Sequence, residues 1–292
     1  MTVPSTGRPG SVIPQPTTST NSTAAPNDAA APTSAAAPTS AAAPTSAAVP
    51  GPADVLRAEL GRMLNLPATW GYAFAYLFFV VAPPVLMWFT TRNGPAEFQF
   101  EPTFASVLLG ADFLTIIAIV FAAAGSAGDI AGRRVAFGYL ASGSRWGVHS
   151  ARIVAQLLLI AAATVIGFAI AAGILAAAGA LSAENFSGAA LAAGLILVWT
   201  AIGSGVGTLI PVPAVAVALP IGWILVLEMA VGLVPVDWVQ TLAQYLPWTA
   251  SRQLLGMMDV FVSDLHASLV LTGWFAAVVV GGVIIASRRD VK

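Results

Sequence analysis

Six long apolar stretches, each about as long as a bilayer is thick, constrain this chain more than any other feature of its sequence. They fall at roughly residues 71–90, 104–124, 153–179, 189–209, 213–234 and 267–286. A hydrocarbon core about 30 Å deep takes about 20 helical residues to cross. A helix satisfies its own N–H and C=O groups, which lipid cannot do for it. A membrane barrel would instead alternate apolar and polar residues over segments of about 10, and no such alternation is present. The expected fold class is therefore all-α, a polytopic membrane protein with six transmembrane helices. Composition agrees: 58% of the residues are apolar and 9% charged, against about 25% charged in soluble domains.

Residues 1–52 read as a separate region from the membrane-spanning part, residues 53–292. The first fifty are rich in Ala, Pro, Thr and Ser, and AAAPTS occurs three times over 29–46. Proline at that interval interrupts any helix, and alanine buries too little surface to offset the entropy of ordering. A disordered tail is expected, with no apolar segment of the secretory-signal kind. After it, ADVLRAELGRML (53–64) places Leu56, Leu60, Met63 and Leu64 on one helical face and Asp54, Arg57 and Arg62 on the others. That pattern predicts an amphipathic helix over 53–66 lying in the membrane interface, ended by Pro67.

Charge then orients the spans. With the N-terminus in the cytoplasm, the inner segments hold Arg57, Arg62, Arg133, Arg134, Arg145, Arg152, Arg288, Arg289 and Lys292. The outer loops hold only Arg92 and Arg252. This bias puts both termini on the cytoplasmic side. Trp70, Trp88, Trp199, Trp223, Trp238 and Trp274 mostly lie near span ends, where aromatic belts form. The long outer loop 235–266 contains the amphipathic YLPWTASRQLLGMMDVF, suited to re-entering the membrane or capping its outer face.

Several chemistries fail on inventory. There is no cysteine, so no disulfide and no thiol catalysis. The single lysine is Lys292, which excludes a Walker A phosphate loop within this chain. His149 and His266 fall on opposite sides of the membrane, and neither H-E-x-x-H nor G-x-S-x-G occurs. No catalytic, cofactor or metal residues are expected. The run IGSGVG (202–207) spaces Gly203 and Gly207 for close helix packing rather than phosphate binding. Two acids lie within spans: Asp112, about eight residues into the second, and Glu228, about six from the outer end of the fifth. A carboxylate at that depth faces protein or a water-filled cavity. Each is either a structural group bonded to a neighbouring Ser, Thr or Trp, or part of a substrate path.

One segment stands apart, AGRRVAFGYLASGSRWGVHSAR (131–152), which gathers four arginines, aromatics and glycines between apolar runs. With the interfacial helix, six spans, both ends inside and this long loop between spans two and three, residues 53–292 resemble the membrane subunit of a type-2 ATP-binding-cassette (ABC) exporter. Asp129, Gly132 and Arg133 stand where that family carries an acid, a glycine and a basic residue. LASGSRW (140–146) resembles its Leu-x-Ser-Pro-x-x-Arg stretch, with Gly143 where proline is usual, and Arg152 follows about seven on. The terminal SRRDV (287–291) is similar to the family's common ending.

The resemblance implies that this loop is a coupling helix docking on a separate ATPase subunit, which alone binds ATP. Asp129, Arg133, Arg134, Phe137, Tyr139, Arg145 and Trp146 would carry the coupling, arginines by charge-assisted bonds and aromatics as anchors. The plainer reading is a loop whose arginines only meet lipid headgroups. The resemblance further implies a homodimer or a pair with a related permease. Spans two and five would line a path near Asp112 and Glu228 for a drug, lipid or peptide substrate. The setting would be a bacterial inner membrane, with a role in efflux or antibiotic resistance and no nucleic-acid partner. A secondary transporter or channel, and an immunity or accessory membrane protein, are the competing classes.

Overall fold

A computed structural model describes residues 50–94, 110–179, 187–257 and 262–288. The expected tail, as far as residue 49, lies outside the described residues, as do 104–109 of the second expected span and Arg289 onward. All regular structure described is helical: α1 (Pro52–Leu64), α2 (Pro67–Asn93), α3 (Ala111–Ala131), α4 (Arg134–Ser142), α5 (Arg145–Ala177), α6 (Ser187–Leu209), α7 (Pro213–Leu233), α8 (Asp237–Ala243), α9 (Pro247–Leu254) and α10 (Asp264–Arg288). Six of these, α2, α3, α5, α6, α7 and α10, are long and apolar enough to cross a membrane. The protein is an all-α, multi-pass membrane protein.

Helix starts follow local chemistry. Pro52, Pro67, Pro213 and Pro247 each stand at the first helical position, where no N–H is required and φ is already suitable. Asp54 Oδ2 accepts the Gly51 N–H at 3.1 Å and closes the first turn of α1. Ser263 caps α10 by accepting the His266 N–H. The amphipathic stretch of the long loop is helical over α9, with Trp248, Ala250, Ser251 and Gln253 buried.

The α3–α6 pair forms the centre. A Cβ added at Gly203 would lie 2.7 Å from the Ile119 carbonyl oxygen of α3. Gly207 meets the Ala123 backbone one turn on, and Gly205 faces α10, where a Cβ would come within 2.7 Å of the Val278 oxygen. Glycine here permits backbone-to-backbone approach on two sides of α6. Ser126 and Ser204 join α3 to α6 at 3.0 Å, and Gln156 of α5 donates to the Ala122 carbonyl at 3.1 Å. On the flank, α2 meets α5 where Val80 packs on Gly167, and Tyr76 bonds Thr164 at 2.7 Å.

Two segments depart from α geometry, Trp223–Glu228 in α7 and Ala276–Val280 in α10, both π-helical. Trp199, expected in an aromatic belt, is instead buried. Its Nε1 donates to Ser251 Oγ at 2.8 Å, and its ring meets Trp248 edge-on at 5.5 Å. An inward partner for the indole N–H outweighs the interface preference.

Candidate functional site

The arginine-rich end is built as a helical hook. α3 stops at Gly132, and Arg133 then takes a left-handed conformation, φ 55°, to turn the chain into α4. Gly143, φ 65°, turns it again, and Ser144 Oγ accepts the Gly147 N–H at 3.0 Å to start α5. A left-handed glycine is unstrained, whereas a left-handed arginine is not.

α4 lies against the start of α5. Val135 is buried, and Gly138 faces Val148, which an added Cβ would approach to 3.0 Å. The Tyr139 hydroxyl bonds His149 Nε2 at 2.6 Å, and Arg145 lies over the Tyr139 ring, 5.6 Å from its centroid. Burial pushes the Tyr139 hydroxyl above its usual range, against the pull of Arg152 and Arg145. Arg145 also donates to the Ser287 carbonyl at 3.1 Å, tying this corner to the end of α10. The opposite face of the hook is open. Phe137 is 76%, Leu140 84% and Trp146 51% exposed, with Arg133 and Arg134 also exposed beside them.

Behind the hook sits an ion cluster. Asp129, near the end of α3, receives Arg62 Nη1 and Nη2 of α1 at 2.9 and 2.6 Å. Arg62 also donates to Glu59 Oε2 through Nη2 at 2.8 Å. Arg152 of α5, fully buried, places Nε 3.3 Å from Asp129 and Nη2 3.6 Å from Glu59. Arg134 reaches Asp129 at 3.6 Å. The cluster thus binds α1, α3, α4 and α5 at one end.

Of the expected coupling residues, Arg133, Arg134, Phe137 and Trp146 share the open side. Tyr139 bonds His149 inside the hook, Arg145 lies over the Tyr139 ring and reaches the end of α10, and Asp129 is buried in the ion cluster. Glu59, Arg62 and the exposed Leu140 are additions that sequence reasoning did not reach. Leu140 carries a local signal, since it lies three residues after Phe137 on one face of α4. Glu59 and Arg62 carry none that identifies their partner, because Asp129 is 67 positions away.

At the opposite end, Asp112 lies in the first turn of the described α3, just after Gly110, the expected 104–109 portion of its span lying outside the described residues. A carboxylate there complements the helix dipole, and Arg252 is near enough to act on it electrostatically. Glu228 is buried and fully engaged. It accepts Trp223 Nε1 at 2.8 Å, the backbone N–H groups of Trp248 and Thr249 at 3.2 and 2.9 Å, and Thr249 Oγ1 at 3.2 Å. It therefore caps α9 from another helix. Beside it opens a cavity of about 270 Å³ whose walls include Met229, Leu233, Gln240, Trp248 and Arg252. Among the described residues no bond joins Asp112 to Glu228, and no three His, Asp or Glu side chains gather as a metal site would require.

No protein-family model matches the chain, and no curated relative does either.

Proposed function

We propose that this protein is the membrane subunit of an ATP-driven exporter, docking a separate ATPase through the α4 hook. The observation that supports this reading most is the pairing of an exposed Phe137–Leu140–Trp146 surface with an anchored base. Exposed aromatic and aliphatic side chains beside Arg133 and Arg134 suit a partner groove that is apolar in the middle and acidic at its edge. Lipid headgroups alone would call for the arginines and not for three large exposed apolar side chains beside them. The ion cluster suits transmission, because a push on α4 reaches α1, α3 and α5 through Asp129 and its three arginines.

In this reading the hook faces the cytoplasm of the cell, both termini lie on that side, and two such subunits or a related pair enclose the path. ATP is bound by the partner, and substrate leaves at the end where α8 and α9 lie. Glu228 there holds α9 in place, and the neighbouring cavity with Arg252 offers a site for an amphipathic drug, lipid or peptide.

Co-expression of the full chain with candidate ABC-type P-loop ATPase subunits, followed by co-purification, tests the reading. Arg133→Glu with Arg134→Glu, and separately Phe137→Ala with Leu140→Ala, are expected to release the ATPase while the permease remains monodisperse. Full retention of the ATPase by both double variants would overturn the docking surface. Transport by the isolated chain in vesicles, driven by an ion gradient alone, would overturn the ATP-driven reading.

A further inference from the structure

A second surface is unconnected with the hook. Between α2 and α5, on the arginine-rich side of the Val80–Gly167 contact, lies a groove of about 290 Å³. Its walls include Leu64, Trp70, Ala73, Leu77, Ala163 and Ile166, and its floor is formed by the buried Tyr76, Phe121 and Ile160. We propose that this groove is a resident site for one acyl chain of an anionic phospholipid, whose phosphate is held by Arg57 on α1.

The chemistry of the walls selects the chain. Besides the hydroxyls of Thr69 and Tyr72 the lining is apolar but for two groups already committed, Tyr76 Oη to Thr164 Oγ1 at 2.7 Å and Trp70 Nε1 to the Leu64 carbonyl at 2.9 Å. A polar ligand would find few partners in such a lining, and an apolar one loses little. The Trp70–Leu64 bond also fixes the wall in place, because it ties the last residue of α1 to the first turn of α2. The groove is therefore shaped before anything enters it. Both bounding helices are long and apolar enough to cross a membrane, which suits a groove that opens toward hydrocarbon rather than water. An empty slot there would forfeit dispersion contacts along its whole length.

The headgroup is selected by α1. Arg57, Gly61 and Leu64 fall at i, i+4 and i+7, a single line along the helix leading to the mouth of the groove. Nothing lies within 4 Å of a Cβ added at Gly61, which leaves room for a glycerol backbone. Arg57 is exposed, and among the described residues it has no ion pair. The other charges of α1 are engaged elsewhere: Asp54 with the Gly51 N–H, Glu59 and Arg62 with each other and the ion cluster. The open cation of α1 thus stands in line with the groove, which is the arrangement a phosphate and its tail require.

The test uses the full chain in nanodiscs of phosphatidylglycerol or phosphatidylcholine carrying a diazirine within one acyl chain, without ATP or any ATPase, so that a transported lipid is not at issue. After irradiation, labelled peptides are mapped by mass spectrometry. With phosphatidylglycerol, labels are expected to concentrate on 69–77 and 159–166, several-fold above the stretch 219–227 of α7, where Leu219, Leu225, Val226 and Leu227 are exposed but no groove is formed by α2 and α5. Ala163→Trp fills the groove and is expected to remove most of that excess, whereas Val165→Trp, on an exposed position of the same helix, retains it. Arg57→Gln is expected to abolish the preference for phosphatidylglycerol over phosphatidylcholine. Labels spread evenly over the six spans, or undiminished in a monodisperse Ala163→Trp, overturn the chain site; unchanged lipid preference in Arg57→Gln overturns the headgroup contact. If Ala163→Trp is not monodisperse, Ala73→Trp fills the groove from the other wall and decides in its place.

Discussion

Asp129 holds Arg62 by both terminal nitrogens, at 2.9 and 2.6 Å, across 67 positions of sequence. This forked pair fastens the first helix to the end of α3, and through Arg152 to α5. Three arginines share the one carboxylate, so its loss is more serious than the loss of any one of them. Asp129→Asn leaves the buried Arg152 without its nearest counter-charge and is expected to cost about 3–5 kcal/mol, the range for breaking a buried pair. Arg62→Gln leaves Asp129 with Arg152 and Arg134 and is expected to cost less. Thermal unfolding in detergent ranks the two, and the reverse order would disprove the shared-carboxylate account.

Glu228 makes an equally specific prediction at the other end. Glu228→Ala strips the partner from the Trp248 and Thr249 N–H groups and from the Trp223 indole. The expected cost is about 1–3 kcal/mol, the penalty for buried donors left unsatisfied. Glu228→Gln keeps one acceptor oxygen and should fall between. Tryptophan fluorescence reads the change directly, since Trp223 and Trp248 both touch the carboxylate.

The glycines of α6 separate packing from propensity. Gly203→Ala forces a methyl group to within 2.7 Å of the Ile119 oxygen and is expected to destabilise by about 1–3 kcal/mol through overpacking. Gly194→Ala, where nothing lies within 4 Å, should stabilise by about 0.5–1 kcal/mol through helix propensity alone. Unfolding midpoints moving in opposite directions on one helix would establish the distinction.

Arg133 couples strain to the proposed docking. Glycine at its left-handed position relieves the backbone, so Arg133→Gly is expected to raise stability by about 0.5–1 kcal/mol while weakening ATPase capture. The two readouts, melting and co-purification, should move apart. A variant that melts lower would remove the strain argument.

The apolar runs made the helical spans legible, because their length and mean character do not depend on any partner. Other features were legible only in part. α5 begins at Arg145, eight residues ahead of the expected 153, because Arg145 and Arg152 read as loop residues until Glu59 and Asp129 are brought to Arg152. The role of Glu228 depends on Trp248 and Thr249, about twenty residues away in a different helix, and no local spacing announces that. The Gly203–Gly207 repeat was readable as packing, since small residues at that interval line one helix face. On the hook, the arginines and aromatics were visible as residue types. Which of them point outward was not, because Gly138 and His149 decide how α4 sits on α5.

The π-helical segment in α7 has a consequence for phase. Each residue advances an α-helix by about 100°, so one surplus residue between Trp223 and Glu228 rotates all that follows by nearly a third of a circle. Leu227 and Met229, which bracket Glu228, point outward at 40% and 54% exposure. Excising a single residue from this segment would hand the inward slot to one of these greasy neighbours and swing the carboxylate toward hydrocarbon. The cap on α9 therefore hangs on a counting irregularity in a helix that, by composition alone, looks featureless.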